Sequence, residues 1–198
     1  MKGLNHPLLG AFGALLLVCA SAGGGYLVYG ALHPQAKPAP QAPVDASTLP
    51  AAIPAAIVGA RRPDFALPDY EGRMRRISEW NGKLLVLNFW ATWCPPCLDE
   101  IPGFISLQSR YANRGVQFVG VAVDERENVV AFAKEVGLNY PSVQHPVATL
   151  ELMRVYGNTA GGLPYTVLVS PAGEVLFSHA GTLAEREAEQ LILKHLPD

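Results

Sequence analysis

The chain has 198 residues, 49% of them hydrophobic and 16% charged, with a formal net charge of −2. That length suits one ordinary domain with appendages, and the charged share lies below the level usual for soluble domains. No block of like charges occurs; Arg61-Arg62 and Arg73 with Arg75-Arg76 are short and lack interleaved aromatics. They read as a solvated face, which excludes a nucleic-acid footprint.

Leu8 to Leu32 carries no charged side chain. As a helix it would reach about 37 Å, enough to cross a hydrocarbon core of about 30 Å. Residues 1–32 are expected to be a signal anchor with the rest of the chain exported. The competing readings are a signal peptide cut after Ala20-Ser21-Ala22 and, from Leu16-Leu17-Val18-Cys19, a lipoprotein signal. The apolar run continuing through Tyr26-Leu27-Val28-Tyr29 favours the anchor. From His33 to Pro54 six prolines alternate with Ala and Gln. Residues 33–61 therefore read as an extended, semi-rigid linker ahead of a folded domain over 62–198.

Within that domain, Phe65–Leu67 and Met74–Ile77 flank Asp69-Tyr70-Glu71-Gly72 and predict a short hairpin. Leu84–Trp90 is a nearly continuous apolar run, the pattern of a strand buried on both faces. Helical spacing follows from Pro96 to Tyr111, with Pro102 predicting a kink. Val116–Val123 is a second buried strand, and helices are expected around Val129–Val136 and Ala148–Tyr156. Tyr165–Val169 and Val175–Phe177 predict a second hairpin. Thr182 with Glu185 predicts a capping box opening a last helix over Ala184–Leu196. Helices alternating with buried strands predict an α/β fold, a central mixed sheet covered on both faces.

Cys19 lies in the apolar stretch, which leaves Cys94 and Cys97 alone in the folded part. Two cysteines make a redox pair or a fragment of a metal site. Cys94-Pro95-Pro96-Cys97 falls where a buried strand ends and a helix begins. Cys94 is expected at the helix N-cap, where unpaired N–H groups and the macrodipole stabilise a thiolate. Pro96 suits a first turn, and Cys97 lies close enough to close a disulfide with Cys94. Cys94 should attack and Cys97 should resolve the mixed disulfide. Glu100 lies one turn beyond Cys97 and could exchange its proton; spacing equally allows a solvated first-turn acid beside Asp99. Trp93 is expected as an exposed docking platform, with Trp90 and Phe89 as packing. Leu163-Pro164-Tyr165 precedes a strand, where proline is commonly an edge device; Gly161-Gly162 ahead of it permits a cis Pro164.

The run Asn88-Phe89-Trp90-Ala91-Thr92-Trp93-Cys94-Pro95-Pro96-Cys97-Leu98-Asp99-Glu100-Ile101-Pro102 resembles the active-site stretch of the TlpA/ResA-like membrane-anchored thiol–disulfide reductases of the thioredoxin superfamily. Asp64–Pro68, Gly82-Lys83, Val121–Glu125 and Gly162-Leu163-Pro164 fit the same pattern in order. The resemblance implies a thioredoxin fold with an N-terminal β-hairpin extension and an N-terminal membrane anchor. It implies a redox disulfide between Cys94 and Cys97, Glu100 as the active-site acid and Pro164 as a cis-proline facing the cysteines. Trp93, Pro95, Pro96, Leu163, Pro164 and Tyr165 are then expected to bind substrate. The partners implied are protein disulfides and a membrane electron donor, with the domain outside a bacterial inner membrane, in the periplasm, and no cofactor. Three features depart from the pattern. Asn88 stands where thioredoxins carry a buried Asp, about two extra residues separate Tyr156-Gly157 from Gly162-Leu163-Pro164, and Tyr165 stands where Thr is usual or, in the cytochrome c maturation branch, Glu.

Three rival chemistries meet obstacles. His6, His33, His145, His179 and His195 stand at no zinc-ligand spacing to the cysteine pair. A copper carrier of the Sco type has three residues between its cysteines and a later His, and here there are two. A thiol peroxidase wants Thr or Ser three residues before its reactive Cys, where this chain has Ala91.

Overall fold

The computed structural model describes residues 57–196, and the expected anchor and nearly all of the linker lie outside them. Strands β1 (Ala66–Pro68) and β2 (Met74–Arg76) pair antiparallel. A short 3₁₀ turn, Ile77–Trp80, then leads into β3 (Leu84–Trp90). Helix α1 (Pro95–Tyr111), β4 (Val116–Ala122), α2 (Arg126–Val136), β5 (Ser142–Gln144) and α3 (Ala148–Val155) follow. Strands β6 (Tyr165–Val169) and β7 (Val175–Ala180) and helix α4 (Glu185–His195) complete the fold. The five-stranded sheet has the order β5-β4-β3-β6-β7, with β3, β4 and β5 parallel and β6 and β7 antiparallel. This is the mixed sheet that the alternation of apolar strands and amphipathic helices predicts.

Strand β3 is central, and every one of its residues is buried. Alternation along the strand divides its side chains between two faces. Leu85, Leu87 and Phe89 pack with Tyr156, Val167 and the β1 residue Leu67. Leu84 and Val86 pack with Phe104, Leu107 and Phe118 under α1. Trp90 joins the cluster around Cys94 and Cys97. Removing each such Leu or Phe from water contributes about 1.5–3 kcal/mol, so slippage of β3 by one residue would invert both faces at once. Asn88 shares the parity of Val86 and Trp90, and its side chain therefore turns to the α1 side. Where Asn88 opposes Gly120, the neighbouring Trp90 indole N–H donates to Ser142 Oγ at 3.2 Å. A Cβ on Gly120 would come within 2.8 Å of that indole nitrogen, so only glycine lets the tryptophan cross.

Several expectations need adjustment. Ile57, placed in the linker by the sequence reading, is buried in the core and lies so close to Gly157 that a Cβ there would meet it at 2.8 Å. Strand β5, three residues long, carries too little pattern to be read from sequence. Helix α1 begins at Pro95 and runs through Pro102 as one element of 17 residues. The N-cap of α4 is Ala184, not Thr182. Glu187 accepts the Ala184 N–H at 3.4 Å, and Glu185 instead pairs with Arg110 of α1 at 2.7 Å. Because the helix opens two residues later than Thr182, Glu187 and not Glu185 stands at the third helical position, where a capping carboxylate belongs.

Candidate active site

The site is built where β3 stops and α1 starts. Cys94 is the N-cap of α1, in extended backbone, and its carbonyl accepts the N–H groups of Cys97 and Leu98 at 3.0 and 3.3 Å. Cys94 and Cys97 form a disulfide, with Cα atoms 5.3 Å apart. Cys94 keeps 5% exposure and Cys97 none, the order expected of an attacking and a resolving sulfur. Pro95 and Pro96 occupy the first two helical positions and have no N–H. Two of the donors that would otherwise stabilise an anion at this helix end are thereby missing, and Cys97 supplies the first N–H.

Helix periodicity carries Glu100 inward, and it is 3% exposed, not solvated. Its Oε1 accepts the Asn88 amide N–H at 2.6 Å and its Oε2 accepts the Leu183 backbone N–H at 2.9 Å. Burial pushes the carboxyl up to about 7 against these two bonds, which favour the anion. The same Asn88 nitrogen lies 3.2 Å from Thr166 Oγ1, and Asn88 Oδ1 is buried without a partner among the described residues. Position 88, where a second carboxylate would repel Glu100, instead holds a neutral donor.

The segment between β3 and the disulfide is anchored by a residue that the sequence reading noted only as part of a family pattern. Asp124, after β4, accepts the Thr92 N–H at 2.8 Å and the Thr92 hydroxyl at 2.6 Å through the same oxygen. Its other oxygen accepts the Glu125 N–H and the Asn128 amide, each at 2.8 Å. Burial acts to raise this carboxyl, but the bonds from Thr92, Asn128 and Glu125 prevail and hold it below the usual range. The signal available in sequence was a lone Asp at the end of a buried parallel strand, the end where such sheets place their sites.

The second wall is the turn before β6. The Leu163–Pro164 peptide is cis, Pro164 is buried, and Leu163 packs against the cluster that holds both cysteines. Asn158 shapes the extra residues of this loop, donating to Gly162 O at 2.7 Å and accepting from Gly161 N at 3.1 Å. Trp93 is 63% exposed, and Pro95 and Pro96 are exposed beside it. Tyr165 departs from expectation: its ring is buried against Phe89 and its hydroxyl donates to Tyr156 O at 2.7 Å. A strand residue following the proline points to the opposite face, which here is core.

Among the described residues no group of three or more His, Cys, Asp or Glu is placed to hold a metal ion. No described helix is long and apolar enough to cross a membrane.

Comparison with known proteins agrees with this geometry. The AhpC/TSA family matches residues 58–178. The thiol–disulfide oxidoreductase ResA of Geobacillus thermodenitrificans is 38% identical over 137 residues, covering 69% of this chain and 76% of ResA. The ResA of Bacillus subtilis is 34% identical over 128 residues, 64% of this chain and 69% of that protein. A Chlorobium tepidum crystal structure assigned as thiol:disulfide interchange protein DsbE superposes with a TM-score of 0.65 at 30% identity, over 74% of this chain and all of that one. With its cysteine pair at the mouth of α1 on a thioredoxin-like sheet, the chain belongs to the AhpC/TSA family and, within it, to the ResA-like thiol–disulfide oxidoreductases, enzymes of thiol–disulfide exchange.

Proposed function

We propose that the protein reduces disulfides of other proteins outside the cytoplasm, tethered by its N-terminal apolar segment and recharged by a membrane thiol donor. The observation that carries this reading is the Cys94–Cys97 disulfide at a helix mouth, with a carboxyl of pKa about 7 one turn further in. In the reduced protein the Cys94 thiolate attacks one sulfur of a substrate disulfide. A mixed disulfide forms, and the other substrate sulfur leaves as a thiolate that takes up a proton. Cys97 passes its proton to Glu100 and attacks Cys94 Sγ, which expels the second substrate sulfur. Two electrons have then moved to the substrate, and the Cys94–Cys97 disulfide remains for the donor to reduce. A carboxyl near 7 suits proton transfer in both directions at neutral pH.

The direction rests on the resemblance to membrane-anchored thiol–disulfide reductases, because the Pro95-Pro96 pair by itself does not place the protein on the potential scale of the fold. Trp93 and the Leu163–Pro164 turn flank the sulfurs and supply the substrate surface; the buried Tyr165 ring supports that turn from behind. Peroxidase chemistry lacks its parts here, because Ala91 is apolar and the Thr92 hydroxyl is committed to Asp124.

Two variants test the scheme. Cys94→Ser should reduce insulin-disulfide reduction to background, whereas Cys97→Ser should accumulate mixed disulfides visible by mass spectrometry. A measured potential near the oxidising end of the thioredoxin-fold range would sink the reductant assignment.

A further inference from the structure

Helix α2 and the β1–β2 turn enclose a groove of about 380 Å³ lined by Tyr70, Glu71, Arg126, Val130, Ala133 and Lys134. Its floor is apolar, and Val130 is 37% exposed there. Arg126, Val130 and Lys134 recur every four residues, so they form one stripe along the helix. Glu71 is paired with Arg73 outside the groove. Arg126 Nε is buried and makes no hydrogen bond among the described residues, and no described carboxylate forms an ion pair with Lys134. A buried donor without an acceptor is costly and rare in a folded protein. The groove thus presents two cationic side chains, Arg126 and Lys134, against a single carboxylate, Glu71, that Arg73 already engages, while its walls offer apolar contact. Tyr70 also packs against the cluster containing Cys94 and Cys97, to which the α2 residue Val129 belongs, so groove and disulfide share a wall.

We infer that this groove is a second docking site for protein substrates, taking an acidic, partly apolar segment whose carboxylate reaches Arg126 while a neighbouring acid meets Lys134. It rests on the reading that protein disulfides are the substrates, and it adds how they are selected. A disulfide near a stretch rich in Asp and Glu would be held at two points, at the sulfurs and along α2. A small disulfide would use only the first.

The test is a single-turnover measurement on the full-length chain, reduced beforehand and reconstituted in neutral phosphatidylcholine vesicles, with oxidation followed by tryptophan fluorescence. Two short synthetic peptides each carry one disulfide, one with flanking Asp and Glu and one with Ser and Asn, and a small aromatic disulfide serves as control. The acidic peptide should react roughly tenfold faster than the neutral one at low salt, the scale of electrostatic steering. In R126Q/K134Q, or in 1 M salt where screening is nearly complete, that advantage should vanish while the small disulfide reacts at an unchanged rate. Equal rates for the two peptides in the unaltered protein would overturn the proposal. So would an advantage that survives R126Q/K134Q, or an effect of R126Q/K134Q confined to vesicles of anionic phosphatidylglycerol, which would make the groove a lipid contact. Failure of the small disulfide to react would instead strike the exchange chemistry itself.

Discussion

Glu100 and Asp124 are hidden from solvent to the same degree, at 3% and 4% exposure, yet they hold their protons in opposite ways. Glu100 faces two donors, an amide from β3 and a backbone N–H ahead of α4. Asp124 faces four, two of them from Thr92. Desolvation pushes both carboxyls up, more strongly at Glu100, which lies deeper in the protein than Asp124, and that depth together with the number of donors decides whether it wins. Two are too few, so Glu100 is left near neutrality as a group able to exchange a proton. Four are enough, so Asp124 stays an anion and serves as a fixed post for the segment before Cys94. Burial by itself therefore says little about what an acid beside a reactive pair will do.

The comparison can be broken most severely at Asp124. Asp124→Ala would strand the Thr92 N–H and hydroxyl and two further donors, at a cost of about 3–4 kcal/mol of stability in urea unfolding. It would also slow exchange by loosening the turn that displays Cys94. A loss under 1 kcal/mol would mean that water replaces the carboxylate and that the segment needs no post.

Glu100 comes next. Its folded pKa of about 7 lies above the ordinary glutamate value of 4.5. Below pH 4.5 both folded and unfolded forms are protonated; between 4.5 and 7 the unfolded form ionises first, so stability falls as pH rises. The whole fall is about 3 kcal/mol and is complete above pH 7. Glu100→Gln should flatten this window and remove the limb near 7 from the pH profile of disulfide reduction. An unchanged profile would return Glu100 to a purely structural role. Asp124 has the opposite sign, because its pKa is lowered: it contributes stability above about pH 4, lost as the pH falls further.

A smaller effect is expected at Asn88. Asn88→Ala removes one of the two donors to Glu100, worth about 1 kcal/mol. The midpoint of Glu100, followed by the infrared carboxyl band, should then rise above about 7. A midpoint that stays in place would show that burial alone sets it, and the donor count would lose its meaning.

Much of this site can be read along the chain. Cys94 and Cys97 are one helical turn apart, the apolar run of β3 announces a buried strand, and the prolines mark the first turn that follows. Spacing alone does not decide the inward position of Glu100, since a first-turn acid can face water or core, and packing does. Tyr165 turns its ring into the core for the related reason that strand parity, not proximity to Pro164, decides which way a ring points. Asp124 has only a faint local signature, an acid at the end of a buried parallel strand, and Arg126 has none. One is identified by donors across a parallel strand pair, the other by the groove it shares with Lys134.

The sequence by itself determined the dithiol, its place at a strand–helix junction and the mixed α/β architecture, because these follow from short-range geometry, from continuous apolar runs at the buried strands and from the helical period of 3.6. Only the tertiary structure decided the protonation of the two acids and the charge of the groove beside α2. The donors to Glu100 lie 12 and 83 positions away in the chain, and Thr92 lies 32 from Asp124. A carboxyl's affinity for its proton depends on which groups the fold brings within about 3 Å of it in a medium of low polarity, and no stretch of neighbouring residues records that.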